Sequence, residues 1–166
     1  MRSLHEAKQF VRDHRGDKNG CICPCCEQKA MQWKKSLIST AVASLVKLVR
    51  VYKGDHIHLD EFNVVAKDRN FSQLKLWDLV RTLPSDEKRS SGMWAPTKLG
   101  VDFAKGRVNI PKYVITYNNV RIGYDKPLVG VKEILENKFN YYELLGLQGY
   151  MTTDQTFSYE QTIIFE

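Results

Sequence analysis

The sequence contains no long apolar run. A helix that crosses a bilayer needs about 18 or more predominantly apolar residues. The longest apolar segment, residues 37–52, is interrupted by Ser39, Thr40, Ser44, Lys47 and Arg50. The pattern therefore predicts no membrane span. The first ten residues alternate charged and apolar side chains, unlike the apolar segment of a signal peptide, so we expect a cytoplasmic protein.

Cysteine is scarce and confined to one place. The four cysteines of the 166 residues are Cys21, Cys23, Cys25 and Cys26. A secreted disulfide scaffold would spread its cysteines along the chain to connect distant loops. Their clustering favours a metal site or free thiols instead.

Common catalytic motifs are missing. The sequence has no phosphate-binding Gly-x-x-x-x-Gly-Lys-Ser/Thr, no Gly-x-Gly-x-x-Gly and no His-Glu-x-x-His. His56-Ile-His58 lies near Asp55, Asp60 and Glu61, which could serve a metal-dependent hydrolase. Such residues before a helix more often cap it or face solvent. The sequence therefore predicts a binding protein and not an enzyme.

Charge is distributed unevenly along the chain. Residues 1–53 hold eleven Lys/Arg and four Asp/Glu, a net of +7. Residues 54–122 hold eleven and eight, a net of +3, and residues 123–166 hold three and seven, a net of −4. A basic first half favours an anionic partner, above all nucleic acid, while an acidic tail suits a protein partner.

The pattern of apolar residues predicts an α+β fold. Helices are expected over residues 3–14, 28–52, 60–66, 72–82, 96–106 and 129–145. Short strands are expected at residues 56–59 and 93–95, and a hairpin at residues 113–117 and 120–124. Asn118 and Asn119 favour the tight turn of that hairpin, because asparagine tolerates positive φ.

Two sets of motifs resemble known families. The first is similar to the wing pattern of MarR-like winged-helix proteins: Leu74-Lys-Leu-Trp-Asp-Leu-Val80, Gly92-Met-Trp94 and Thr97-Lys-Leu-Gly100-Val-Asp-Phe103. The second resembles small phage-encoded proteins with a cysteine knuckle: Cys23-Pro-Cys-Cys26-Glu-Gln28, Phe103-Ala-Lys-Gly106 and Ile110-Pro-Lys112-Tyr-Val-Ile-Thr-Tyr-Asn118. Together the two resemblances cover roughly residues 20–145.

The resemblance implies a winged helix-turn-helix core with an N-terminal helix and knuckle and a C-terminal hairpin plus helix. It places the helix and knuckle at residues 1–30, the winged-helix domain at residues 31–148 and a tail at residues 149–166. Trp77 and Trp94 would pack the third helix against the wing. Gly100 would permit a close approach, and Phe103 would close the core.

The predicted third helix, residues 72–82, has few side chains suited to reading bases. Helices that read sequence usually present Arg, Asn, Gln or Lys to base edges. Asp78 would oppose phosphate if it faced the groove. We therefore expect binding that is led by phosphate contacts, with modest sequence preference. The candidate contacts are Lys29, Lys34, Lys35, Lys67, Arg69, Lys75, Lys88 and Arg89.

The cysteine knuckle, residues 21–26, is expected to hold structural zinc. Zinc takes four ligands in a tetrahedron, and Cys23-Pro-Cys-Cys26 has the spacing that presents two thiolates to one ion. Cys21 could join the pair, with His14, His56 or His58 as the fourth ligand. His56 or His58 could instead contribute from a strand edge, or two chains of a homodimer could each donate Cys23 and Cys26. Reduced cysteines without metal are the alternative.

The leading hypothesis is a phage-type winged-helix protein that binds duplex DNA in a regulatory role, located in the host cytoplasm. The alternative is an interaction module that binds a host protein and inhibits or redirects it. The acidic, aromatic tail and the weak groove-facing chemistry of residues 72–82 motivate this alternative.

Overall fold

A computed structural model of the chain describes residues 3–58, 70–84, 92–136 and 138–146. The chain divides into two compact units. Unit 1 comprises residues 1–36 and 111–127, and unit 2 comprises residues 37–110 and 128–166. Within the described residues there are five α-helices, one 3-10 helix and three small antiparallel sheets, so the predicted α+β class is confirmed.

The helices are α1 (Leu4–His14), α2 (Ser39–Val51), a 3-10 helix (Phe71–Trp77), α3 (Lys98–Ala104), α4 (Val131–Leu135) and α5 (Tyr141–Leu144). The strands are β1 (Cys21–Ile22), β2 (Lys29–Ala30), β3 (Trp33–Ser36), β4 (Ile57–His58), β5 (Val80–Thr82), β6 (Met93–Pro96), β7 (Ile110–Tyr117) and β8 (Val120–Val129). None of the helices in these ranges has the length and hydropathy that a bilayer crossing requires.

Unit 1 begins with α1, which starts where the sequence predicts. The Ser3 hydroxyl accepts from the Glu6 backbone N–H, and the Glu6 carboxylate accepts from the Ser3 backbone N–H, which makes a capping box. Strands β1 and β2 form a short hairpin that carries the cysteine knuckle. Strands β3, β7 and β8 form a second sheet in that order, which leaves β8 at one edge.

The turn between β7 and β8 matches its prediction. Asn118 and Asn119 both adopt positive φ, at 49° and 61°. This is the conformation that a two-residue hairpin turn requires. The predicted hairpin is therefore confirmed, and β8 extends further than expected, to Val129.

Unit 2 is built around α2. Eight of the 13 residues of this helix are buried, all of them between Ala41 and Val49. The helix packs against α3, α4 and the 3-10 helix. Strands β4, β6 and β5 form a sheet in that order. Gly100 lies on α3 where a Cβ would collide with the Leu79 carbonyl oxygen, so the predicted close approach at this glycine is confirmed. Phe103 is fully buried, as expected.

The predicted helix over residues 28–52 is wrong in its first half. Residues 29–30 and 33–36 are strands β2 and β3, and α2 begins at Ser39. The aliphatic side chains at helical spacing begin at Leu37, and the segment before it is polar apart from Ala30, Met31 and Trp33. Strand β3 instead pairs with β7, with Trp33 opposite Thr116 and Lys35 opposite Val114.

The predicted helix over residues 72–82 is also corrected. The 3-10 helix ends at Trp77 because Asp78 adopts the left-handed conformation, with φ of 57°. Residues 80–82 then form β5, in which Thr82 pairs with Trp94 of β6. Pairing across the sheet thus outweighs the local helical pattern.

The predicted helix over residues 129–145 is divided into α4 and α5. Glu136 ends α4 with φ of 49°, and the Asn140 side chain caps α5 by accepting from the Tyr142 and Glu143 backbone N–H groups. The predicted helix over residues 60–66 and the tail at residues 149–166 lie outside the described residues.

Candidate nucleic-acid interface and cysteine knuckle

The loop that carries Cys23 and Cys26 is closed by backbone hydrogen bonds. The Cys23 N–H donates to the Gln28 carbonyl at 2.9 Å, and the Glu27 N–H donates to the Cys23 carbonyl at 2.9 Å. Glu27 adopts positive φ at 57°, which lets the chain turn back into β2. The hairpin therefore presents Cys23 and Cys26 to one another.

The surroundings of the Cys23 sulfur favour its thiolate. The backbone N–H groups of Cys25 and Cys26 donate to this sulfur, as does the Cys26 side chain, and they lower the pKa of the Cys23 thiol below its ordinary value of 9.0. Burial opposes the shift weakly. Because the thiolate is the form that binds zinc, the chemistry and the spacing of this pair fit half of a zinc site.

The structure does not gather the other predicted ligands around this pair. All four cysteines and all four histidines lie among the described residues, and there no three His, Cys, Asp or Glu side chains are placed to hold one ion. The Cys21 and Cys25 thiols form no disulfide. His14 engages Phe10, with Nδ1 2.8 Å from the Phe10 carbonyl oxygen. His56 and His58 belong to unit 2.

Positive charge is concentrated in one compact unit. Unit 1 holds eleven Lys/Arg against five Asp/Glu, a net of +6. Unit 2 holds fourteen of each sign, a net of zero. This division does not follow the order of the sequence, because residues 111–127 join unit 1 through the pairing of β7 with β3.

The predicted contacts Lys29, Lys34 and Lys35 lie on strands β2 and β3 of unit 1. Lys34 is occupied, since its Nζ lies 2.6 Å from an Asp125 carboxylate oxygen and 4.3 Å from the Tyr113 ring centroid. Within the described part of the chain, Lys29 and Lys35 form no ion pair. These two lysines are therefore available to an anionic partner.

The remaining predicted contacts do not join this surface. Lys75 lies on the 3-10 helix of unit 2, where its Nζ donates to Thr82 Oγ1 at 3.0 Å and lies 4.8 Å from the Trp94 ring centroid. Lys67, Arg69, Lys88 and Arg89 lie outside the described residues.

Unit 1 has further basic residues that were not among the predicted contacts. Arg15 lies over the Tyr117 ring at 4.9 Å, and Arg121 lies over the Tyr124 ring at 5.0 Å. Such pairs keep a cation in place while it stays accessible to solvent. The alternation of tyrosines and cations along residues 112–124 was the signal that could have indicated them.

Trp33 is a further candidate site residue that the sequence did not predict. This tryptophan is 58% exposed, while Trp77 is 2% exposed. It lines a pocket of about 330 Å³ together with Lys29, Met31, Asn118 and Asn119. An exposed indole beside a cation and two amides is an arrangement suited to a polar, planar ligand.

Comparison of the chain with protein-family models, with curated proteins and with solved structures finds no match.

Proposed function

We propose that this chain is a phage-type winged-helix protein that binds nucleic acid, with duplex DNA as its partner and with modest sequence preference. The concentration of the whole net charge of +6 in unit 1 is the observation that carries this proposal. Duplex DNA bears about one negative charge per 1.7 Å of its axis, so a basic surface of this kind attracts it without reading bases.

The order of elements in unit 2 supports the winged-helix part of the proposal. In the winged-helix plan, helices are followed by a loop between two strands. Here α2 and the 3-10 helix precede the antiparallel pair of β5 and β6, and Thr97, Gly100 and Phe103 of the wing pattern lie in and before α3. The sequence between these strands includes Lys88 and Arg89, two of the predicted phosphate contacts.

The short 3-10 helix supports the proposal of modest sequence preference. It spans seven residues, and the Lys75 side chain is engaged by Thr82 and Trp94. Few groups remain to form the paired hydrogen bonds with base edges on which direct readout depends. Lys29 and Lys35 instead offer ammonium groups, which suit phosphate contacts.

We also propose structural zinc at Cys23 and Cys26. A bound ion would supply a rigid cross-link at the tip of the hairpin of β1 and β2. Since zinc prefers four ligands, a second copy of the chain that donates the same two thiolates would complete the tetrahedron. The zinc proposal is therefore also a proposal of a homodimer.

The chain acts as a binding protein in the host cytoplasm and not as a catalyst.

A binding measurement tests the nucleic-acid proposal. Labelled generic duplex is titrated at low salt with the wild type, with Lys29→Glu/Lys35→Glu, and with the control Lys53→Glu, which changes an exposed lysine of unit 2. We expect the double variant to bind at least roughly tenfold more weakly, and the dependence of log K on log salt to fall by about 2. Lys53→Glu should bind like the wild type.

Two outcomes would contradict the proposal: a wild type that does not bind at low salt, or equal weakening by Lys53→Glu. A further variant, Lys88→Glu/Arg89→Glu, asks separately whether the predicted wing contributes. If only this variant weakens binding of the duplex, the interface lies at the predicted wing and not on unit 1.

The edge strand β8 favours a second candidate function, a protein-interaction module. Val120, Ile122 and Tyr124 are 64%, 41% and 44% exposed on this strand. An edge strand with exposed apolar side chains can pair with an extended segment of another protein. Capture from nuclease-treated host lysate by the wild type, lost in Ile122→Lys, would favour this function over nucleic-acid binding.

A further inference from the structure

The pocket beside Trp33 is built from three adjoining parts of unit 1. Lys29 and Met31 come from β2 and the residue that follows it, Trp33 begins β3, and Asn118 and Asn119 form the turn after β7. Trp33 pairs with Thr116, which lies two residues before Asn118. The register of the sheet therefore brings the asparagine turn beside the indole.

Local backbone contacts hold these parts in place. The Thr116 side chain is buried and its Oγ1 donates to the Trp33 carbonyl oxygen at 3.5 Å. Gly20 adopts positive φ at 66°, and a Cβ there would collide with the Ala30 carbonyl oxygen and lie 2.9 Å from the Met31 Cβ. This close approach holds the segment that carries Met31 against the backbone at Gly20.

The chemistry of the lining residues fits a nucleobase. An indole provides a planar aromatic surface for stacking, and the two asparagine amides offer both hydrogen-bond donors and acceptors to a base edge. Lys29 provides a cation for the adjoining phosphate. None of the five lining residues carries a negative charge that would repel a nucleotide.

The size of the pocket limits its ligand to about one base. Its volume of about 330 Å³ lies at the small end of the range for ligand sites in proteins. The indole of Trp33 is 58% exposed, so a stacked base would remove a large apolar surface from water. Within the described residues, no aromatic ring stacks on the Trp33 indole and no cation lies over it.

We propose that this pocket binds one unstacked base of a nucleic-acid strand, with the base stacked on Trp33 and its edge facing Asn118 and Asn119. The proposal rests on the proposed nucleic-acid binding and adds a preference that phosphate contacts cannot provide. A base inside a regular duplex is not available for stacking, so the pocket favours single-stranded segments, ends or extruded bases.

The test compares two probes that differ only in their bases: a single-stranded deoxyadenosine oligonucleotide and an abasic strand of the same length. Both carry the same phosphates. Binding is followed by anisotropy of the labelled strands and by tryptophan emission, since Trp33 is the most exposed tryptophan of the described chain. We expect the adenine strand to bind roughly 5- to 150-fold more tightly than the abasic strand and to quench the emission.

Three variants test which side chains of the pocket cause the preference for the adenine strand. Trp33→Ala should abolish the preference for the adenine strand and leave binding of the abasic strand unchanged, whereas Trp33→Phe should retain most of the preference. Asn118→Gly keeps the turn, because glycine adopts positive φ, and removes the amide, so it should reduce the preference. Far-ultraviolet circular dichroism of each variant checks that it folds.

The outcomes separate this proposal from the proposed function. Binding of both strands with equal affinity, or a preference that survives in Trp33→Ala, overturns the base pocket and leaves phosphate-led binding in place. Failure of the wild type to bind either strand or a duplex overturns both proposals.

Discussion

The Lys34 ammonium group lies 2.6 Å from the Asp125 carboxylate, and this ion pair joins the two outer strands of the sheet in unit 1 across β7. The hydrogen bond from Lys34, supported by the backbone N–H of Lys126, holds the pKa of the Asp125 carboxyl below its ordinary value of 3.8. Asp125 is therefore ionised at neutral pH and neutralises Lys34, one of the lysines that we propose as phosphate contacts.

Asp125→Asn should strengthen nucleic-acid binding. The substitution releases Lys34 and removes a negative charge from unit 1, so we expect an affinity a few-fold higher and a salt dependence steeper by about 1. The measurement is the slope of log K against log salt on generic duplex. Asp102→Asn is the matched control, because it removes the same charge from unit 2. Equal effects of the two substitutions would contradict a phosphate-binding surface on unit 1.

Stability should fall at low pH partly through Asp102. Lys98 and Arg107 hydrogen-bond to this carboxylate at 3.1 and 3.2 Å, and they lower the pKa of Asp102 from its ordinary value of 3.8. A carboxyl with a lower pKa in the folded state stabilises the fold above its unfolded-state pKa, and this contribution is lost as pH falls through the folded-state pKa.

Urea unfolding of the wild type and of Asp102→Asn at neutral pH and at a pH well below 3.8 measures this contribution. The wild type should lose more stability between the two conditions than the variant does. A difference that stays the same at both pH values would show that Asp102 does not contribute through its charge.

Gly100→Ala should destabilise the protein by about 3 kcal/mol, because the new Cβ would force α3 away from the Leu79 carbonyl oxygen. Gly123→Ala is the control, since no atom lies within 4 Å of the position that its Cβ would take. The midpoint of chemical unfolding compares the two variants. Comparable losses would indicate that the contact between Gly100 and Leu79 is not tightly packed.

Purified protein should contain one zinc ion per two chains. Cys23→Ser and Cys26→Ser should each lose the metal, while Cys25→Ser should retain it, because the hairpin presents Cys23 and Cys26 to one another. Elemental analysis combined with native mass spectrometry measures metal content and stoichiometry together. A monomer that holds one zinc and loses it on Cys21→Ser would show that the ligands come from a single chain.

Elements with strong local signals could be predicted from the sequence. Ser3 and Glu6 specify the start of α1, and Asn118 and Asn119 specify the turn of the hairpin. Thr97 caps α3 by accepting from the Gly100 N–H, close to the predicted start of that helix. In each case residues a few positions apart satisfy the backbone groups, so no distant contact is needed.

Elements that depend on distant partners could not be predicted in this way. Residues 33–36 form a strand because β7 lies beside them, and the 3-10 helix is short because residues 80–82 pair with β6. Both pairings join segments far apart in sequence, and hydrogen bonds across a sheet can outweigh a weak local helical preference.

The order of residues sets the amount of positive charge, the knuckle spacing of Cys23 and Cys26, and the local caps and turns. Folding places the charge of +6 in unit 1 and brings Trp33 beside the asparagine turn. Composition and local hydrogen bonds are properties of the chain, whereas a shared surface arises only when strand pairing brings residues 111–127 to residues 1–36.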